Sequence, residues 1–229
     1  MMRFTTMKTK LRKYPSIFLI LLLAISSCFL TGCVNQHPKD SKKSSQGESV
    51  ETMLEITDPK EKQAVLNAKA KVKALSGNPR IVATSPAVAD ICDKLDLDLV
   101  GVPKSSVSKI PSRYKKVKKV GLAMSPDMEI VSSLNPDWIL APSSLETDLK
   151  PKFEELKNTE YAFLNLRSVQ GMYRSAQELG EIFGKQQEAE KMTKEFTTFY
   201  KSYTKRNKNK KHPKVLVLMG LPGSYVIAT

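Results

Sequence analysis

Histidine and cysteine are scarce: 229 residues contain two of the first and three of the second. His37 and His212 lie far apart, and no His/Cys run has metal-ligand spacing, so a structural zinc site and a histidine-based catalytic set both lack their parts. No G-x-S-x-G elbow and no phosphate-cradling glycine loop is present. The sequence therefore predicts a binding protein, not an enzyme. Long apolar runs are missing as well. Residues 17–23, continuing through Phe29 and Leu30, are too short for a confident membrane span. Only Cys92 lies beyond residue 33, which excludes a disulfide within that part of the chain. Four residues after Val88 on an apolar face, Cys92 reads as a small core residue.

Charge is what the chain has in excess. The net charge is +14 and the isoelectric point about 9.6. Residues 1–32 hold five of the 37 bases and none of the 23 acids, which leaves 32 against 23, or +9, for the rest. Those bases are dispersed along helices, apart from a dense run at 205–211, with no aromatics interleaved on one face. The pattern predicts a solvated basic surface facing an anionic membrane and no nucleic-acid partner.

The first 32 residues run from a basic segment through an apolar one to Leu30-Thr31-Gly32-Cys33, the order of a signal peptide. The last four resemble a bacterial lipobox, which makes Cys33 the lipid attachment site and places the protein on the outer face of the cell membrane. Two acyl chains give stable anchoring where one would not. Residues 33–79 then form the anchor and tether. Up to about Ser49 they are polar and without apolar period. Asp58-Pro59-Lys60-Glu61 starts a helix, with Val65, Ala68, Val72 and Leu75 as its stripe and Gly77 as its end. No chemistry is assigned to that helix.

Residues 80–166 read as an α/β lobe: strands at 80–83, 99–102, 117–120, 138–141 and 161–164, and helices at 86–95, 127–134 and 145–156. This alternation predicts a mostly parallel sheet covered by helices, with ligands beyond the carboxyl ends of the strands. Three loops share that edge, at 84–87, 103–108 and 121–127. Ser85 is placed to cap the helix that Pro86 begins, leaving the amides of Ala87 and Val88 for an anion. Residues 167–208 carry two amphipathic helices. The second, at 185–208, has Ala189, Met192, Phe196, Phe199, Tyr200 and Tyr203 as its stripe, and about 24 residues span about 36 Å, enough to join two lobes. Residues 209–229 begin a second lobe, with strands at 214–219 and 224–228.

The run Gly121-x-x-Met124-x-Pro126-Asp127-x-Glu129-Ile130, continuing through Leu134-x-Pro136-Asp137-x-Ile139, resembles the signature of the periplasmic binding proteins whose two lobes are joined by one long helix. These are the extracytoplasmic receptors of ABC importers for siderophores, cobalamin, haem and some metal ions. Around residues 80–99 and 117–124 and at the C-terminal end, the chain looks like the haem-receptor lipoproteins of the Isd uptake system, over about residues 79–229. The resemblance implies haem b as ligand, Met124 as an axial ligand of its iron, and an ABC permease and haem-donating surface proteins as partners. From the residues alone Met124 reads as a loop methionine filling a gap; as a thioether it is also a suitable soft ligand. The resemblance further puts Pro86, Ala87 and the stretch Ser105, Ser106 and Val107 in the pocket. The second loop is one residue longer than the family pattern, the family tyrosine has no counterpart, and Val107 cannot donate a hydrogen bond. The second axial ligand, a histidine, falls beyond residue 229, and His212 matches a position remote from the cleft. Two alternatives stay open: a receptor of the same fold for a siderophore or cobalamin, and a shortened lipoprotein with no small ligand.

Overall fold

The computed structural model describes residues 3–4, 54–211, 213–216, 218–221 and 224–227. Cys33 and His212 lie outside them. Five parallel strands form the lobe: β2 (Ile81–Ala83), β3 (Leu99–Val102), β4 (Lys118–Lys119), β7 (Trp138–Pro142) and β8 (Glu160–Leu164). A two-residue strand, β1 (Arg3–Phe4), adds antiparallel to β8, with Arg3 opposite Phe163, and completes the order β1-β8-β7-β2-β3-β4. The chain moves outward from β2 to β3 and β4, then returns to place β7 on the other side of β2. The boundary between β2 and β7 is therefore the switch point, where open parallel sheets bind ligands.

The strands β2, β3, β7 and β8 send apolar residues to both faces because helices cover both. Ile81, Ala83, Leu99, Trp138, Leu140, Ala162 and Leu164 point into one core cluster. Val82, Ile139, Ala141 and Phe163, the intervening residues, point into the other. Helix α1 (Pro59–Lys73), α2 (Pro86–Lys94), α5 (Val169–Phe183) and α6 (Gln186–Asn207) supply residues to the first cluster; α3 (Met128–Ser133) and α4 (Glu146–Glu154) supply the second. Phe153 of α4 stacks on Phe163 with ring centroids 5.8 Å apart. Cys92 is buried in the first cluster, and burial pushes its thiol pKa up to about 12. Gly101 is needed where β3 meets its neighbours: a Cβ there would lie 2.8 Å from Val120 Cγ1 and 2.9 Å from Leu134 Cδ1.

The helix that the sequence left without a task docks on the lobe. Glu61 of α1, 5 % exposed, accepts from Arg174 Nη2 of α5 at 2.5 Å. Lys69 pairs with Glu181 at 2.7 Å, and Lys71 with Glu160 at the start of β8. Glu178, one turn on from Arg174, is fully buried and neither of its oxygens has a partner among the described residues. Burial, and next the nearby Glu61 carboxylate, raise its pKa to about 9, so it is held as the neutral acid at neutral pH. The pairings 61–174 and 69–181 run in the same direction, so α1 is parallel to α5. Helix α5 follows β8 and descends from the carboxyl edge. The start of α1, where the tether joins, therefore lies on the carboxyl-edge side. Helix α1 ends at Lys73 with Ala74 as its cap, before the expected stop at Gly77.

Helix α5 ends at Gly184, whose φ of 71° lets the chain turn without a Cβ penalty. Helix α6 then climbs back antiparallel to α5, with Gly180 against Ala189 and Tyr173 stacked on Phe196 at 4.5 Å. Its 22 residues reach about 33 Å against about 22 Å for α5. The proximal half of its stripe is covered. Tyr200 also meets Phe196, while Phe199 and Tyr203 stack on each other in solvent. After α6, β9 (Leu218–Leu221) and β10 (Ser224–Ile227) pair antiparallel. Residues 214–216, expected to open the first of these strands, lie outside it.

Candidate ligand-binding site

The loop after β2 stands at the switch point. Thr84 is tied to β7 by its amide, which donates to Leu140 O at 3.0 Å, and by its hydroxyl at 3.3 Å. Ser85 has extended backbone angles and caps α2, its Oγ accepting from the Val88 amide at 3.3 Å. Pro86 occupies the first helical position and has no N–H to leave unsatisfied. The expectation of two open amides is thus corrected. Val88 is bound by the cap and buried, because the Ser85 side chain reaches the third helical residue before any ligand does. Ala87 is exposed, and its amide has no partner among the described residues.

The third loop is more ordered than a loop. Gly121–Leu122 (β5) and Ser125–Pro126 (β6) form a hairpin with Ala123 and Met124 as its two-residue turn. Gly121 has a φ of 94°, and a Cβ on it would lie 2.9 Å from the Asp127 amide, so the base of the hairpin requires glycine. Asp127 closes the other end: its amide donates to Val120 O at 2.7 Å, and its carboxylate accepts from the Glu129 and Ile130 amides at 3.1 and 3.0 Å, starting α3. Met124 therefore projects from a short turn fixed on both sides, and 75 % of it is exposed. Leu122 beside it is 59 % exposed.

The second loop is tied to the third, for the Lys104 amide donates to Gly121 O at 2.7 Å. Ser105 Oγ accepts from the Ser108 amide at 3.0 Å, folding the loop tip and engaging that hydroxyl in a turn. Ser106 and Val107 are exposed, Val107 at 95 %. The structure thus brings Ser105, Ser106, Val107 and Met124 onto two bonded loops over β3 and β4. Ser85, Pro86 and Ala87 stand over the adjacent strand β2. No hydrogen bond among the described residues joins the first loop to the other two.

A concavity of about 630 Å³ opens farther along the same edge, between Ser143 after β7, Asn165 and Arg167 after β8, and Glu146 and Lys150 of α4. None of the residues assigned to the ligand pocket from the sequence lines it. Its walls carry charges of both signs, whereas the loop cluster offers an exposed thioether, exposed apolar carbons and an open amide. The cluster suits a large, flat, partly apolar ligand better. Nothing in the periodicity of the sequence pointed to the concavity, since its residues come from two strand ends and one helix face. Among the described residues no group of three or more His, Cys, Asp or Glu could hold a metal ion, and no helix is long and apolar enough to cross a membrane.

A parallel lobe with its switch point beside a capped helix start, followed by a long outgoing helix, is the construction of one class of receptor. Residues 81–229 match the family Periplasmic binding protein (Peripla_BP_2), and the chain belongs to it. Members are non-enzymatic transport components that work with a membrane permease. The chain is 39 % identical over 155 residues to the High-affinity heme uptake system protein IsdE of Staphylococcus aureus strain Newman, covering 67 % of this chain and 52 % of that one. It thus spans about half the length of the curated relatives it matches. The crystal structure of S. aureus IsdE complexed with heme superposes with a TM-score of 0.61 at 37 % identity, covering 67 % of this chain and 59 % of that one. An ABC transporter substrate-binding protein from Listeria monocytogenes EGD-e gives the same TM-score at 44 % identity, with 67 % and 58 % covered.

Proposed function

We propose that the chain acts as a lipid-anchored extracytoplasmic receptor that takes haem b from donor proteins on the cell surface and delivers it to an ABC import permease. The observation that carries this reading is Met124: a soft sulfur ligand held in solvent at the tip of a fixed turn, over the carboxyl edge of the sheet, in a chain similar to a haem-uptake protein. A thioether bonds haem iron without needing deprotonation. Leu122 offers apolar carbons to a porphyrin face or edge. The open Ala87 amide at the start of α2 suits a propionate, because helix starts favour anions. Ser106 extends the polar margin, while Ser105 acts by shaping its loop. Cys33 holds the lipid. The second axial ligand, a histidine on the resemblance above, belongs to the second lobe.

The test is a haemin titration of the purified chain followed by visible absorbance, beside Met124→Ala. Saturable binding with a shifted Soret band, altered in the variant, is expected. Saturable binding with an identical spectrum in the variant would remove Met124 from the iron. A ferric siderophore bound equally well by both proteins, with haemin bound by neither, would move the reading to a siderophore receptor.

A further inference from the structure

Residues 99–126 contain seven bases and no acid. One of the seven, Arg113, is engaged: its guanidinium meets Asp96 and Asp98 at 2.8 Å each. The other six, Lys104, Lys109, Lys115, Lys116, Lys118 and Lys119, form no ion pair among the described residues. Five are exposed and Lys119 is half-buried. All six sit on the connection from β3 to β4 or on β4 itself, the edge strand of the sheet. Edge lysines keep a strand from pairing with another chain, and two would serve a strand of two residues. Six exceed that need. Val107, 95 % exposed, stands between Lys104 and Lys109. An apolar tip flanked by bases is the composition that enters the headgroup region of an anionic bilayer.

The direction of α1 bears on the same surface. Its start lies on the carboxyl-edge side of the lobe, so a tether from Cys33 would join the lobe on the side where the loop bearing Lys104 and Val107 is found. Twenty-five residues separate Cys33 from Pro59, so an anchor at Cys33 holds the lobe within at most about 90 Å of the membrane.

We propose that the β3–β4 connection is a membrane-contact surface, in which the unpaired lysines bind acidic phospholipid headgroups and Val107 enters the interface between them. This rests on the lipid-anchored reading and is independent of haem. It also gives Val107 a role that its lack of a hydrogen-bond donor denied it in the ligand pocket.

The test is amine footprinting of the full chain, without haem, reconstituted into vesicles of phosphatidylcholine alone or of an equimolar mixture with phosphatidylglycerol. Labelling of Lys104, Lys109, Lys115, Lys116 and Lys118 should slow roughly threefold or more in the anionic vesicles and recover in high salt. Lys157, exposed just before β8 on the side of the sheet away from β4, should label equally in both. The triple variant K115E/K116E/K118E should lose the protection at Lys104 and Lys109. A chain retained on both vesicles with equal labelling of every lysine would overturn the proposal and leave the surface to an acidic protein. Release of the chain from vesicles on washing would instead count against the anchored reading, and with it this one.

Discussion

Two regions of this lobe break the usual distribution of polar and apolar groups, in opposite directions. At the carboxyl edge Val107, Met124 and Leu122 stand in water on loops fixed by backbone hydrogen bonds. At the seam between α1 and α5, Glu61, Arg174 and Glu178 are drawn out of water, with one ion pair and one unpartnered carboxyl. The first arrangement adds nothing to the stability of the lobe and is intelligible only if something else covers it. The second adds little net stability but fixes how α1 lies, since a displaced helix would leave charges buried without partners. Exposed apolar groups therefore mark what the lobe meets, and buried charges mark how the tether helix is oriented on it.

The comparison breaks most easily at the seam. Arg174→Leu leaves Glu61 and Glu178 facing each other without a cation, and should cost about 3–5 kcal/mol or release α1 altogether; urea unfolding and hydrogen exchange of the α1 amides distinguish these. Next is the pH dependence set by Glu178. Its carboxyl has an ordinary pKa of 4.5 when unfolded and about 9 in the fold, so folding takes up a proton. The stability it contributes is fully present below pH 4.5 and declines as the pH rises towards 9. Glu178→Gln, which keeps a neutral polar group, should flatten that decline in a series of thermal melts across the range; an unchanged slope would assign it to other groups.

The edge should respond differently. Gly121→Ala forces a Cβ into the positive-φ base of the hairpin and should cost about 1–2 kcal/mol, while altering any haemin spectrum through the displaced Met124. Smallest of all, Met124→Ala and Val107→Ser should change stability by less than about 0.5 kcal/mol. If either proved strongly destabilising, the edge would be structural, and the contrast between the two regions would collapse.

Much of the frame was readable from the sequence, because continuous apolar strands and amphipathic helices carry their own period. Residues 99–102 and the stripe of α6 lie where that period puts them. Asp127 and Ser85 announced helix starts through residue type alone. The hairpin at Met124 was invisible, since Ala-Met is no turn signal and the constraint lies in Gly121 and in hydrogen bonds from Lys104 and Asp127. The open amide at Val88 was misjudged for a related reason: the cap that starts the helix also uses up one of its donors. The Glu61–Arg174 pair joins residues 113 positions apart, and nothing local in either helix reports the other. The positions of individual side chains in the site followed from close-range bonding, which periodicity does not encode.

Cys92 has one more consequence. A thiol with a pKa of about 12, shut inside the core cluster, is almost wholly protonated at neutral pH and out of reach of reagents. It reacts when α2 lifts from the sheet and at no other time. The peptide carrying Cys92 is thus an internal clock for the opening of the lobe beneath its ligand edge, read by mass spectrometry without adding a probe. A ligand gripped by the loops at the end of β2 should slow that clock.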